Sequence, residues 1–254
     1  MINIEKAESE FNNYVKNYDL NNENINLKFH HSHRVKQIAE EIAKSLNLSE
    51  EEIKLAKLIG LLHDIARFEQ YTRYHTFSDL KSIDHGDYGI EILKQNNYIR
   101  NFIDIDEYDN IIFKAIKNHN KFKIEESLSE KELLFSKIIR DADKLDIFYE
   151  GAEIFWTKSE EIKEINNSKI TDKVLNDFYN YFLIDRKEIE TKADGIISFI
   201  GFLFDINFKY DFEVLKKEDY INKILDKFTF CDEKTAEQMK KIRTIAKSYI
   251  DKQL

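Results

Sequence analysis

Proline is absent from this 254-residue sequence and glycine occurs only six times, where average usage gives about twelve and about seventeen. Sandwiches and related all-β folds turn their chains with Gly and Pro, so the shortage speaks against them. Collagen-like and Pro-rich linker architectures are excluded outright. Cysteine is represented by Cys231 alone, which rules out an intramolecular disulfide and leaves thiolate metal sites without a basis. No basic tract is present: 39 Lys and Arg stand against 48 Asp and Glu, for a net charge of −9. Duplex nucleic acid is therefore not an expected partner. The longest apolar-rich stretch, 195–204, is too short to span a membrane. The first residues also lack the basic and apolar regions of a secretory signal. A cytoplasmic protein without membrane contact is the expectation.

What is present is helical. An apolar share of 42% with 13% aromatics supports a sizeable core and argues against disorder. Periodicity predicts helices over 4–18 and 27–46, the second with Val35, Ile38, Ala39, Ile42, Ala43 and Leu46 on one face. Ser49 followed by Glu52 forms a capping box. The helix behind it runs through Ile53, Leu55, Ala56, Leu58, Ile59, Leu61 and Leu62, apolar nearly all round and so buried on most sides. Residues 66–84 read as a long loop with short helical pieces. Further helices are expected over 85–95, 108–119, 130–149 (capping box Ser129 and Glu132), 172–183, 195–207, 218–228 and 233–252. The fold class is all-α. All seven histidines lie between positions 30 and 119, which points to a division into a chemistry-bearing part, 1–150, and a supporting helical part, 151–254. The second part is expected to pack on the first as one compact unit.

The buried helix ends in His63-Asp64. Imidazole and carboxylate at the edge of a core need partners, and a divalent cation satisfies both together; a local His–Asp hydrogen bond is the alternative. Other groups of the same chemistry follow helix by helix. His31 lies in His31-Ser32-His33-Arg34-Val35, His85 opens Asp84-His85-Gly86-Asp87, and His119 ends Ala115-Ile116-Lys117-Asn118-His119. Asp141 and Asp143 interrupt an amphipathic helix in Asp141-Ala142-Asp143-Lys144-Leu145-Asp146. Helical bundles build metal sites in this way, with ligands projecting inward from facing helices.

In this order the motifs resemble the HD-domain superfamily of metal-dependent phosphohydrolases, over about residues 28–150. His31 matches the first His of the signature, His63 and Asp64 the doublet, and Asp143 the final Asp; His85 and His119 match the extra histidines of two-metal members. The resemblance implies an HD-domain helical core with a C-terminal helical extension. It implies one metal held by His31, His63, Asp64 and Asp143, and a second held by Asp64, His85 and His119. A single metal remains open if His85 and His119 contact substrate instead. Nitrogen and carboxylate ligands without thiolate suit Mn, Fe, Co, Ni or Zn, and Mg alone less well. The family pattern alone selects His31 over His30 and His33, which share a different helix face.

Positive charge near the doublet indicates the substrate. Arg67 follows His63 by four residues and shares its face if the helix continues. The corresponding residue in related phosphodiesterases is often a Lys that meets phosphate, and Arg binds phosphate through paired donors. Lys144 adjoins Asp143. Asp64, Arg67 and Lys144 are thus the expected catalytic groups, while Arg34, Arg73 and Lys81 read as solvated charges. The implied reaction is attack on phosphorus by a metal-activated hydroxide, with His75 or Asp87 as candidates to protonate the leaving group. The expected substrate is a small phosphorylated metabolite, foremost a nucleotide, with Phe68, Tyr71, Tyr74 and Phe77 available to stack a base. Arg67-Phe68-Glu69-Gln70 departs from the Gly-Lys often found after the doublet, which leaves the substrate subclass open. Two alternatives keep the same ligands: a di-iron oxygenase, and a non-catalytic module that senses a nucleotide.

Overall fold

The structure, a computed structural model, describes residues 1–254. It is all-α, without strands. The first helices are α1 (Ile4–Val15), α2 (Glu23–Ser45), α3 (Glu50–Leu62), α4 (Arg67–Tyr74), α5 (His85–Lys94) and α6 (Asp109–His119). There follow α7 (Glu130–Glu153), α8 (Ser159–Asn166), α9 (Asp172–Tyr179), α10 (Lys192–Gly201), α11 (Lys209–Lys217), α12 (Tyr220–Leu225) and α13 (Glu233–Lys252). No helix is long and apolar enough to cross a membrane. The chain divides into two compact units, Met1–Asp146 and Ile147–Leu254, with the division inside α7.

In the first unit, α2 and α3 form the central pair. α2 buries Val35, Ala39, Ile42 and Ala43 on its expected face, and His31 and Ser32 continue that face one turn earlier. α3 is buried almost all round, as its composition requires. Its start is fixed by the Ser49–Glu52 capping box, which satisfies backbone N–H groups that have no partner within the helix. Gly60 lets the two helices approach: a Cβ there would stand 2.9 Å from Lys36 Cα and 3.0 Å from the Val35 carbonyl oxygen. Against α1, Phe68 lies in an aromatic cluster with Phe11, Tyr14 and Tyr18, at centroid distances of 5.7 to 6.2 Å.

The second unit has its own core, with Phe178 of α9, Ile196, Ile197 and Ile200 of α10, and Ile242, Ala246 and Ile250 of α13. Two of its helices, α8 and α11, escape the periodicity reading: α8 has only Ile162 and Ile165 as apolar residues, and α11 is nine residues long with five of them charged. α10 begins at Lys192 rather than 195, because Thr191 and Asp194 form a capping box with Asp in place of Glu. α9 stops at Tyr179, short of the expected 183; Tyr181, two residues on, adopts a left-handed backbone (φ 61°). Residues 202–205 form a separate 3₁₀ turn rather than extending α10.

Two outcomes check this description. Gly60→Ala is expected to destabilise the protein by about 1–3 kcal/mol through overpacking against backbone, outweighing the roughly 1 kcal/mol gained in helix propensity; a lowered urea midpoint reads this. The Glu52 carboxylate is held down to about 2 by the Ser49 hydroxyl, then by Lys131 and the Ser49 backbone N–H. A lowered folded-state pKa means that its stabilisation is full above the ordinary value of 4.5 and is lost as pH falls toward about 2. The stability advantage of wild type over Glu52→Gln should therefore shrink across that window in denaturation measured against pH.

Candidate metal centre

The end of α3 sets the geometry. After Leu62 the chain does not continue as an α-helix. The Ile65 N–H bonds the Leu62 carbonyl at 3.1 Å and the Arg67 N–H bonds the Asp64 carbonyl at 2.9 Å, the tighter i→i+3 pattern of a 3₁₀ turn. The uninterrupted helix that would place His63 and Arg67 on one face is thus replaced by a turn over 63–66. Asp64, on this turn, is buried at the centre of the unit.

Six side chains from four helices and this turn converge there. Asp64 Oδ2 lies 3.5 Å from His31 Nε2 and 3.6 Å from His63 Nε2. Asp64 Oδ1 lies 3.3 Å from His85 Nε2 and 3.5 Å from His119 Nε2. Asp143 Oδ1 completes the first side, 3.1 Å from His31 Nε2 and 3.7 Å from His63 Nε2. Within the first unit three overlapping groups could hold a metal ion: His31, His63 and Asp64; His63, His119 and Asp143; and Asp64, His85 and His119. His30 is exposed and His33 meets Asn12 Oδ1 at 3.1 Å, so of the three clustered histidines His31 alone enters the centre.

Each of the four imidazoles is oriented through its other nitrogen. His63 Nδ1 donates to the Gly60 carbonyl (2.8 Å) and His119 Nδ1 to the Ile116 carbonyl (2.6 Å). His31 Nδ1 faces Asp146 Oδ2 at 2.6 Å, and His85 Nδ1 faces Asp79 Oδ2 at 2.7 Å. Carbonyls only accept and carboxylates accept when ionised, so the Nδ1 atoms carry hydrogen and every Nε2 is turned inward, as a lone-pair donor wherever the ring is neutral. His85 and His119 thereby bring two such atoms within 2.9 Å. A shared cation would relieve that repulsion, and the nitrogen and carboxylate donor set fits a metal ion.

Electrostatics follow the same division. Burial opposes the charge on Asp64, but Lys28, His63 and Arg67 outweigh it and hold the carboxyl well below its usual range. Asp143 is likewise held low against burial, by His31 and His63. Burial, helped by the Arg67 charge, pushes His85 down to about 3 and so keeps it a neutral donor. Burial and Lys28 oppose charge on His31, yet Asp143 and Asp146 prevail and raise it to about 9.

The remaining expected residues are placed as follows. Arg67 is buried; its Nη1 donates to Gln70 Oε1, to the Phe77 carbonyl (both 2.7 Å) and to Asp79 Oδ1 (3.2 Å). Its Nε, 3.4 Å from Asp64 Oδ1, has no hydrogen-bond partner. Lys144 is buried, and its ammonium donates to the Arg140 carbonyl at 3.3 Å. Arg34, expected in solvent, instead grips Asp146 through Nε (2.6 Å) and Nη2 (2.9 Å). His75 is exposed at the end of α4, and Asp87 is exposed and paired with Lys121. Phe68 is fully buried in the aromatic cluster and has no face for a base. Tyr71 and Phe77 stay half-buried, their rings 5.0 Å apart.

Sequence reasoning missed Lys28, Asp79, Asp146 and Arg140. Lys28 stands three residues before His31 and Asp146 three after Asp143, spacings that share a helix face and could have marked both. Asp79 sits in the aperiodic segment between α4 and α5, where no spacing points to it. Arg140 Nη1 donates to the carbonyls of Asn118, His119 and Lys121, fastening the end of α6 that carries His119. Groups that orient metal ligands typically change metal affinity about 10–100-fold when removed. Asp79→Ala and Asp146→Ala are each expected to weaken metal binding by that factor, read by equilibrium metal titration. Unchanged affinities in both variants would contradict the orienting roles.

Residues 29–147 match the family described as HD domain. That span contains all six converging side chains, while Lys28 lies one residue outside it. No curated protein and no solved structure matches the chain. The helical architecture, the buried His and Asp cluster and the family match agree: residues 29–147 are an HD domain, of the superfamily of metal-dependent hydrolases.

Proposed function

We propose that the protein is a phosphohydrolase that works with one or two divalent transition metals, drawn from Mn, Fe, Co, Ni and Zn, on a small phosphorylated metabolite, foremost a nucleotide. The observation that carries this reading is the bifurcated environment of Asp64, one oxygen beside His31 and His63 and the other beside His85 and His119. In this reading His31, His63, Asp64 and Asp143 would hold one metal, and Asp64, His85 and His119 a second. Bound there, such metals would supply an activated water, its pKa lowered toward about 7, and Lewis-acid charge for phosphoryl oxygens.

The chain's own groups do the rest. Arg67 offers Nε beside Asp64 and is fixed in direction by its Nη1 bonds, which suits it to a phosphoryl oxygen rather than to free solvent. Lys144, next to Asp143 along α7, adds positive charge behind that ligand. Tyr71 and Phe77, beside Arg67, supply apolar surface for a ring attached to the phosphate, which supports the nucleotide.

Asp64→Ala should lose both metal retention and phosphate release, the latter by about a thousandfold or more, the scale on which a single stabilising group acts in such sites. Arg67→Ala should retain metal and raise KM by about 10-fold or more, the worth of one charged hydrogen bond. A phosphate-release screen over nucleotides, cyclic dinucleotides and simple esters with each metal provides the measurement. Full activity of Asp64→Ala, or metal-loaded wild type that releases no phosphate from any of them, overturns the proposal.

A further inference from the structure

Lys28 Nζ stands 2.9 Å from Asp64 Oδ2, the same oxygen that faces His31 and His63. It is a cation already placed at the first half of the centre. The surroundings give its direction of approach. The side chains of His31, His63, His85, His119 and Asp64 are at most 3% exposed, whereas Lys28 retains 13% and Asp143 17%. Lys28 and Asp143 therefore mark a side from which water reaches the cluster. Lys28 Nζ also lies 5.6 Å from the centroid of the Phe77 ring, and Arg67 lies at the same distance from that ring.

We propose that Lys28 is an exchangeable counter-ion: it neutralises Asp64 Oδ2 until a divalent metal binds between His31, His63 and Asp64, and then turns its ammonium to the phosphate of the incoming substrate. The inference rests on the phosphohydrolase reading and extends it by a substrate-binding residue. Two unlike demands are met by one flexible side chain. A buried carboxylate without counter-charge is costly, and Lys28 supplies it at Oδ2 when no metal does, with Arg67 beside Oδ1. Once a dication arrives, an ammonium on the same oxygen is repelled. A lysine is a compact point charge on a four-carbon stem, able to shift while its backbone stays fixed in α2. Its exposure and the charge of a phosphate dianion set where it goes. Arg67, held by three acceptors through Nη1, has no such freedom, so the two cations divide the work into a fixed and a movable contact.

The test uses Mn(II) alone, and then inorganic phosphate on the Mn-loaded protein, with full-length wild type, Lys28→Met and Lys28→Arg. Lys28→Met keeps the length of the stem and removes the charge. It should bind Mn(II) about tenfold tighter or more, because a like charge within about 4 Å no longer opposes the metal. Its Mn-loaded form should bind inorganic phosphate about tenfold weaker or more. Lys28→Arg, which keeps the charge, should stay within about threefold of wild type in both, and circular dichroism melts verify that the variants are folded. Wild type and Lys28→Met with equal Mn(II) affinity, or with equal phosphate affinity, overturn the exchange while leaving the metal centre intact. Wild type that binds no Mn(II), Fe(II), Co(II), Ni(II) or Zn(II) overturns the metal-centre reading itself, and the exchange with it.

Discussion

Asp64 is a carboxylate removed almost completely from water, with its charge held there by Lys28, His63 and Arg67 against the cost of burial. Both oxygens are committed to pairs of imidazole nitrogens, and the neighbouring elements are arranged to make that tolerable. α3 delivers the group, α2 and α7 close one side with His31 and Asp143, and α5 and α6 close the other with His85 and His119. Without such partners an ionised carboxylate at this depth would cost several kcal/mol or more. Gly60 has its part in this: it sets the distance between α2 and α3, and its carbonyl also orients His63.

Around the six converging side chains lies a layer that gives them direction. Asp146 orients His31 and is itself gripped by Arg34; Asp79 orients His85 and binds Gln70 and Asn120. Arg140 holds the carbonyl end of α6. These contacts tie four helices and the segment between α4 and α5 to a single point, where the ring nitrogens meet. Preorganisation of this kind spares a bound cation the cost of gathering its ligands.

Much of the frame is legible in the sequence because burial imposes period. The apolar faces of α2 and α3, the Ser49–Glu52 capping box and the absence of Gly and Pro all lead to helices where helices occur. The order His31, His63-Asp64, His85, His119, Asp143, each on a helix or at the end of one, is legible too, and the structure gathers those six. Legibility fails where structure is not periodic or where polar composition hides it. Asp79 has no spacing to announce it. The 3₁₀ turn over 63–66 interrupts the face that His63 and Arg67 would otherwise share, and Phe68, one residue on, goes into the α1 cluster. α8 and α11 are short and highly charged, which leaves little period to see. Lys28 and Asp146 show a middle case, their helix-face spacing visible but shared with many surface residues.

Titration of metal-free protein with a divalent metal, with metal occupancy and phosphate release followed on the same samples, tests the central claim most directly. Occupancy is expected to saturate at one or two metals per chain, with phosphate release rising in step with it. Phosphate release independent of metal, or saturable occupancy that never brings phosphate release, would contradict the assignment of this centre as a metal-dependent phosphohydrolase.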